Sequence, residues 1–233
     1  MQKSKRLTLI YNYIKEHQDV QISDIAEFIE ASQSTIRRDI KDLADKGLVI
    51  ELYGSVIISD KSDIDIQIKQ RSKMQAEEKK VIAKKAAQLV KNNSVIYLDA
   101  GTTTKQMIQF IQCENSRFVT NGIDVAGELA KKGLPVYILG GEVKSVTEAV
   151  VGEFAVEYLK KVHFDQSFVG ANGVTEEGYS TPDQKEGLIK ELVIKQSKEA
   201  YVVADYSKYG VTTSYRFAKQ EDAKWIHEKS ENK

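Results

Sequence analysis

Between residues 76 and 205 five short apolar runs recur at helix-length intervals, and this alternation restricts the fold more than any other feature of the chain. The runs are Val95-Ile96-Tyr97-Leu98, Phe118-Val119-Thr120, Val136-Tyr137-Ile138-Leu139, Gln166-Ser167-Phe168-Val169 and Tyr201-Val202-Val203-Ala204. They are rich in β-branched and aromatic residues and too short for helices, which is the texture of strands covered on both faces. Helix-length segments fill the intervals, the first over residues 77–91. Strands alternating with helices predict a mostly parallel sheet sandwiched by helices, an α/β fold.

Each run ends in a short turn, and four of the five turns bear glycine. The turns are Asp99-Ala100-Gly101-Thr102-Thr103-Thr104, Thr120-Asn121-Gly122, Gly140-Gly141, Gly170-Ala171-Asn172-Gly173 and Asp205-Tyr206-Ser207-Lys208. If the strands are parallel neighbours, these turns converge on one rim, where open α/β sheets bind ligands. Gly101 lets the backbone approach an anion closely, and the threonines that follow open a helix whose first N–H groups are unpaired. Lys185 and Lys208 are candidate cations for a phosphate, and Asp99, Asn121 and Asp205 candidate partners for sugar hydroxyls. Any one turn is most often just a turn, and a lysine is most often simply exposed. The repetition is what points to a cleft, with Asp99, Gly101, Thr102, Thr103, Thr104, Asn121, Gly140, Gly141, Asn172, Gly173, Lys185, Asp205, Ser207 and Lys208 as its candidate residues.

The first 58 residues have a different texture. Leu7, Ile10, Tyr11 and Ile14 recur at helical spacing, with Ser4 placed as N-cap. Ser23 is placed to cap a short second helix that buries Ile25, Ala26 and Ile29. A break at Ala31-Ser32 leads to a third helix capped by Ser32, with Gly47 just past its end. Leu48-Val49-Ile50 and Val56-Ile57-Ile58, separated by Tyr53-Gly54-Ser55, read as a β-hairpin. At about 100° per residue Ile36, Ile40, Leu43 and Ala44 share one face of the third helix. Ser34, Arg38 and Lys41 project from the opposite side, flanked by Thr35 and Arg37. Alone, such a helix could be a solvated surface element. Two helices, a break, a third helix and a β-wing together make a winged helix-turn-helix, which places its third helix in the DNA major groove.

Charge gives this reading no help. Lysine plus arginine number 34 and aspartate plus glutamate 34, so no global positive field advertises nucleic acid. DNA binding has to rest on a few placed cations. Cys113 is the only cysteine, which rules out an internal disulfide and argues against a metal site; no metal is expected. The N-terminal residues do not form a signal peptide and no run is long enough to span a bilayer, so a soluble, cytoplasmic protein with no membrane partner is expected.

Thr35-Ile36-Arg37-Arg38-Asp39-Ile40, with Leu43, Gly47-Leu48 and the wing, resembles the DeoR family of sugar-metabolism regulators. The resemblance continues through Asp99 to Thr103, Thr120-Asn121, Gly140-Gly141 and Asp205 to Lys208, and so covers nearly the whole chain. It implies a repressor whose helix-turn-helix binds operator DNA through Ser32, Gln33, Ser34, Thr35, Arg37 and Arg38, to which the helix face adds Lys41. It also implies a sensor domain similar to the ribose-phosphate isomerase fold, binding a phosphorylated sugar as effector, with no other cofactor. Fructose 1-phosphate and tagatose 6-phosphate are the first ligands to consider, and a homo-oligomer, dimer or tetramer, the expected assembly. Two departures stand out. The family commonly carries a basic residue and a Gly-Gly-Ala turn in the wing, where this chain has Glu51 and Gly54-Ser55-Val56. The stretch after Trp225 is also short, which puts the sheet edge there in question.

The domains are therefore expected at 1–58 (DNA binding), 59–75 (connection) and 76–233 (sugar-phosphate sensing). The competing function is a sugar-phosphate isomerase with an accessory DNA-binding domain. Such an enzyme needs a positioned carboxylate base. The stretch where similar isomerases place acids, Ala171-Asn172-Gly173-Val174, has none, and Glu176 and Glu177 beyond it lie in a turn expected to be exposed. Binding without turnover is the better reading, and a pure scaffold the weakest.

Overall fold

The computed structural model describes residues 3–17, 19–45, 49–52, 55–58 and 76–229. The chain divides into two compact units, Met1–Ile66 and Gln67–Lys233. The connection expected at 59–75, Gly47 and the Tyr53-Gly54 turn lie outside the described residues.

In the first unit α1 (Lys3–His17), α2 (Ile22–Ile29) and α3 (Gln33–Asp45) pack with a small sheet. Its strands are β1 (Val20–Gln21), β2 (Val49–Leu52) and β3 (Ser55–Ile58). The wing is antiparallel, with Ile50 opposite Ile57, and β1 adds to β3 as a third strand too short to show a period. The core holds Ile10, Ile14, Ile25, Ile36 and Ile40, all fully buried. Two expected caps are corrected. The first helix starts at Lys3, so Ser4 lies inside it. Ser23 lies inside α2, its hydroxyl turned to the Asp24 carboxylate, because β1 runs directly into a helix that begins on the buried Ile22. Glu30 ends α2 in the left-handed conformation, φ 54°, its N–H bonded back to the helix, without the usual glycine. Ser32 does cap α3, accepting the Thr35 N–H at 3.3 Å.

The second unit carries a six-stranded sheet. Its elements are α4 (Ala76–Ala87), β4 (Val95–Leu98), α5 (Thr102–Met107), β5 (Arg117–Thr120), α6 (Ile123–Lys131) and β6 (Val136–Ile138), then a hairpin of β7 (Glu142–Val143) and β8 (Val150–Val151). There follow α7 (Glu153–Leu159), β9 (Phe164–Val169), β10 (Gly173–Thr175), β11 (Gly178–Thr181), α8 (Gln184–Lys195), β12 (Ser197–Val203), β13 (Tyr215–Ala218) and β14 (Lys224–Ile226). The six-stranded sheet runs β14-β12-β9-β4-β5-β6, parallel throughout. All five apolar runs are in it. The helix expected to reach residue 91 stops at Ala87. The run at Val136 is an edge strand, not a buried one, with Tyr137 and Ile138 exposed. Lys224–Ile226 closes the opposite edge, the one the short C-terminal stretch put in question.

Apolar layers cover both faces. Ile82, Ile96, Leu98, Phe118 and Phe168 build one with α4 to α6. Tyr97, Phe164, Val169, Ile189, Val193 and Val202 build the other with α7 and α8. A separate antiparallel sheet, β10-β11-β13, packs against α8, and the Tyr179 hydroxyl donates to the Ala223 carbonyl at 2.8 Å.

Candidate functional site

Register fixes the rim. Leu98 pairs with Thr120 and Phe168, Thr120 with Ile138, and Val202 with Val169, so these strands end at one edge of the sheet. Asp99, Asn121, Gly170 and Asp205 follow them. The strand ends are cross-linked by their own side chains. Asn121 Oδ1 accepts the Ala100 N–H at 2.8 Å, and Asp99 Oδ2 accepts the Gly170 N–H at 2.9 Å. A second donor reaches the same Asp99 oxygen, the ammonium of Lys190 from α8. The two side chains are 2% and 5% exposed, so this is a buried ion pair beneath the rim.

A second ionic cluster adjoins it. Lys144, in the β7–β8 hairpin, lies 2.6 Å from Asp183 and 3.0 Å from Glu186, and the Thr147 hydroxyl donates to the same Glu186 oxygen at 2.8 Å. Asp183 is the N-cap of α8, accepting the Glu186 N–H at 2.9 Å. The hairpin is thereby latched onto the start of the helix that carries Lys190. Burial opposes the charge on Lys144, but the Asp183 and Glu186 carboxylates outweigh it and hold the pKa above the usual lysine value. At Asp99 the balance goes the other way. Burial raises its pKa above the ordinary aspartate value even against Lys190 and the Gly170 N–H. Tyr97 and Ser167, paired on β4 and β9, are fully buried below.

Most of the expected cleft residues fall into four groups. Asp99, Asn121, Asp205, Ser207 and Lys208 lie along the rim; Asp205 caps the turn Tyr206–Lys208, accepting the Ser207 N–H at 3.2 Å, and Lys208 is half-buried in that turn. Gly101, Thr102 and Thr103 are half-buried at the start of α5, facing the same edge. Asn172 and Gly173 lead into β10, where Asn172 Oδ1 accepts the Thr181 hydroxyl at 3.1 Å. Gly140 and Gly141 follow the edge strand β6 and are exposed. Gly141 has φ +152°, and a Cβ there would meet the Val151 carbonyl oxygen at 2.3 Å.

Two expectations are corrected. Thr104 is buried, and its hydroxyl donates to the Asp99 and Gly101 carbonyls at 2.7 and 2.9 Å, so it holds the loop in shape instead of facing a ligand. Lys185 pairs with Glu142 at 2.5 Å on the surface, 57% and 60% exposed, while the cation on Asp99 is Lys190. The lysine that α8 brings beneath the rim is Lys190. Its signal was in the periodicity: Ile189, Lys190, Val193 and Ile194 share the buried face of α8, where a lysine demands a partner.

In the first unit the apolar face of α3 is buried as expected, while Gln33, Ser34, Arg37, Arg38 and Lys41 are exposed and Thr35 half-buried. The Ser32 hydroxyl lies 3.0 Å from Ser34 Oγ and 2.9 Å from Thr35 Oγ1, a polar cluster at the N-terminal turn. Sequence reading gave Asp39 no role. It is 1% exposed and receives Arg6 of α1 through both oxygens, at 2.5 and 3.1 Å, which fixes the orientation of α3 on α1. The doubtful wing acid also has a partner: Glu51 lies 3.2 Å from Arg37.

Residues 6–62 match the family model of the DeoR-like helix-turn-helix domain, and residues 74–229 that of the DeoR C terminal sensor domain. The chain belongs to the DeoR family. Among its relatives, the HTH-type transcriptional regulator FruR of Bacillus subtilis is 39% identical over 221 residues, spanning 94% of this chain and 88% of that one. The lactose phosphotransferase system repressor of Staphylococcus epidermidis is 31% identical over 218 residues, spanning 90% and 85%. The transcriptional repressor GlcR of B. subtilis is 29% identical over 219 residues, spanning 94% and 85%. This DeoR-family protein is therefore a DNA-binding transcriptional regulator and not an isomerase. Among solved structures, eIF2B delta from Chaetomium thermophilum shares the fold, with TM-score 0.50, 15% identity and 90% of this chain and 76% of that one covered. Ribose 5-phosphate isomerase A from Neisseria gonorrhoeae is a more distant likeness, with TM-score 0.44, 21% identity and 58% and 54% covered. No helix among the described residues is long and apolar enough to cross a membrane.

Proposed function

We propose that this regulator represses a sugar-catabolic operon and that a phosphorylated sugar, bound at the sheet rim, controls its affinity for the operator. The observation that carries the reading is the convergence of Asp99, Asn121, Gly170 and Asp205 on one edge of a parallel sheet, with Lys190 delivered from α8. Sugar hydroxyls suit Asn121 and Asp205, while the N–H groups opening α5, with the Thr102 and Thr103 hydroxyls and Lys208, suit the phosphate. Two relatives bear names that point to sugar systems, FruR and the lactose phosphotransferase system repressor, so fructose 1-phosphate and tagatose 6-phosphate head the ligand panel. The protein acts as a homo-oligomer, dimer or tetramer, in the cytoplasm, presenting paired winged helices to operator half-sites with α3 in the major groove. The sugar phosphate binds one conformation of the sensor better and by linkage weakens operator binding.

Calorimetric titration of the full chain with fructose 1-phosphate, tagatose 6-phosphate, the unphosphorylated sugars and inorganic phosphate tests the site. One phosphosugar should bind far better than its parent sugar and lose that advantage in Thr102→Val. Equal binding by sugar and phosphosugar would remove the phosphate subsite from the rim.

A further inference from the structure

The cations of α3 are not equivalent. Arg38 and Lys41 are exposed and make no ion pair among the described residues. Arg37 does: its Nη1 lies 3.2 Å from Glu51 Oε1, with the two side chains 56% and 38% exposed. Glu51 is on β2, paired with Val56, so the wing's two-stranded pairing holds the carboxylate beside the helix. So exposed a pair contributes little to folding. Its consequence is felt when DNA arrives and water leaves.

A guanidinium has five donors in a fixed planar fork. With Nη1 on Glu51, the Nε and Nη2 donors of Arg37 have no partner among the described residues, and the side chain loses much of its freedom to swing toward the sugar-phosphate backbone. The carboxylate also cancels one positive charge where non-specific affinity comes from neutralising phosphates. A restrained, charge-compensated arginine is suited to the bidentate contact with guanine and poorly suited to indiscriminate backbone binding. We propose that Glu51 is a specificity-determining residue, a buttress that aims Arg37 at a guanine and keeps it off phosphates. The proposal rests on α3 entering the major groove.

The test uses the full chain and three variants: Glu51→Gln, Arg37→Ala and the double variant. Each is put through selection from a randomised duplex library, then measured by fluorescence anisotropy on the selected duplex and on a scrambled one across a salt series. Glu51→Gln should bind the scrambled duplex several-fold tighter, with a salt slope steeper by about 0.9, one added phosphate contact. Its preference for one G·C pair should fall, Arg37→Ala should lose the same preference, and the double variant should lose no more than Arg37→Ala. Equal tightening on both duplexes with the base preference intact would make Glu51 a mere repelling charge and overturn the proposal, as would no change on either. Should the wild-type chain select no site at all, the DNA reading of α3 fails and the buttress with it. Melting of Glu51→Gln at the wild-type temperature keeps folding out of the comparison.

Discussion

Replacing Lys190 by methionine removes the ammonium that the buried Asp99 carboxylate depends on. The change keeps the length of the side chain and leaves Asp99, 2% exposed, with the Gly170 N–H at 2.9 Å as its one hydrogen-bond partner among the described residues. Breaking a buried ion pair from one side costs about 3–5 kcal/mol, because the stranded charge stays desolvated. At about 2–4 °C per kcal/mol for a domain of this size, melting should fall by roughly 6–20 °C near pH 8. The loss should depend on pH. Asp99 already has a pKa above the ordinary aspartate value because burial outweighs Lys190, and removing Lys190 raises it further. A carboxyl with a raised folded pKa binds its proton more tightly folded than unfolded. Its penalty is absent below the unfolded pKa and grows as pH rises toward the folded pKa, by about 1.4 kcal/mol per pH unit across that window. The gap between Lys190→Met and wild type should therefore be smaller at pH 5 than at pH 8. The chain's one tryptophan, Trp225, lies in β14 of this unit, so its fluorescence during thermal melts reports on the right domain. Asp99→Asn combined with Lys190→Met should recover most of the loss, since neither buried charge remains. A gap under 2 °C, or one of equal size at both pH values, would refute the reasoning.

Other outcomes follow from the same structure. Arg38→Ala should lose about 1–3 kcal/mol on the operator if it reads a base, and Lys41→Ala should flatten the salt slope by about 0.9 if it contacts a phosphate; anisotropy separates the two. Arg6→Met should lower the melting temperature of the N-terminal unit and weaken DNA binding without touching a DNA-facing residue, since it strands Asp39 behind α3. Circular dichroism with an operator titration checks both effects. Gly141→Ala should destabilise the sensor domain, because the new Cβ falls 2.3 Å from the Val151 carbonyl oxygen at a φ that alanine avoids. A melting curve matching wild type would contradict the close approach. Lys208→Ala should leave DNA binding intact while weakening the sugar response, and a folded variant that fails to bind DNA would contradict that division of labour.

Much of this was legible before the structure, for physical reasons. The five runs declare themselves because burial on both faces leaves an unbroken apolar stretch, and parallel pairing then places their polar ends on one rim by topology alone. The face of α3 was readable from period alone, since Ile36, Ile40 and Leu43 repeat as a helix requires. Short strands were not: β1, β7 and β8 have two residues each, too few to carry an alternation. Partners across the fold were equally hidden. Nothing local ties Arg6 to Asp39, Glu51 to Arg37 or Lys190 to Asp99, separated by 33, 14 and 91 residues. Lys185 and Lys190 look alike in composition, and only their angular positions on α8 separate the exposed one from the buried one. Thr104 is hidden from the sequence for a similar reason: three consecutive threonines share chemistry, but α5 turns the third inward.

The most direct test of the account is fluorescence anisotropy of labelled DNA from upstream of the protein's own operon. The titration is made at fixed salt, with and without fructose 1-phosphate, tagatose 6-phosphate and other sugar phosphates. The account predicts tight, sequence-dependent binding that one phosphorylated sugar weakens and its unphosphorylated parent does not. Binding that no sugar phosphate alters would contradict the proposed effector site, and binding indifferent to sequence would contradict the recognition helix.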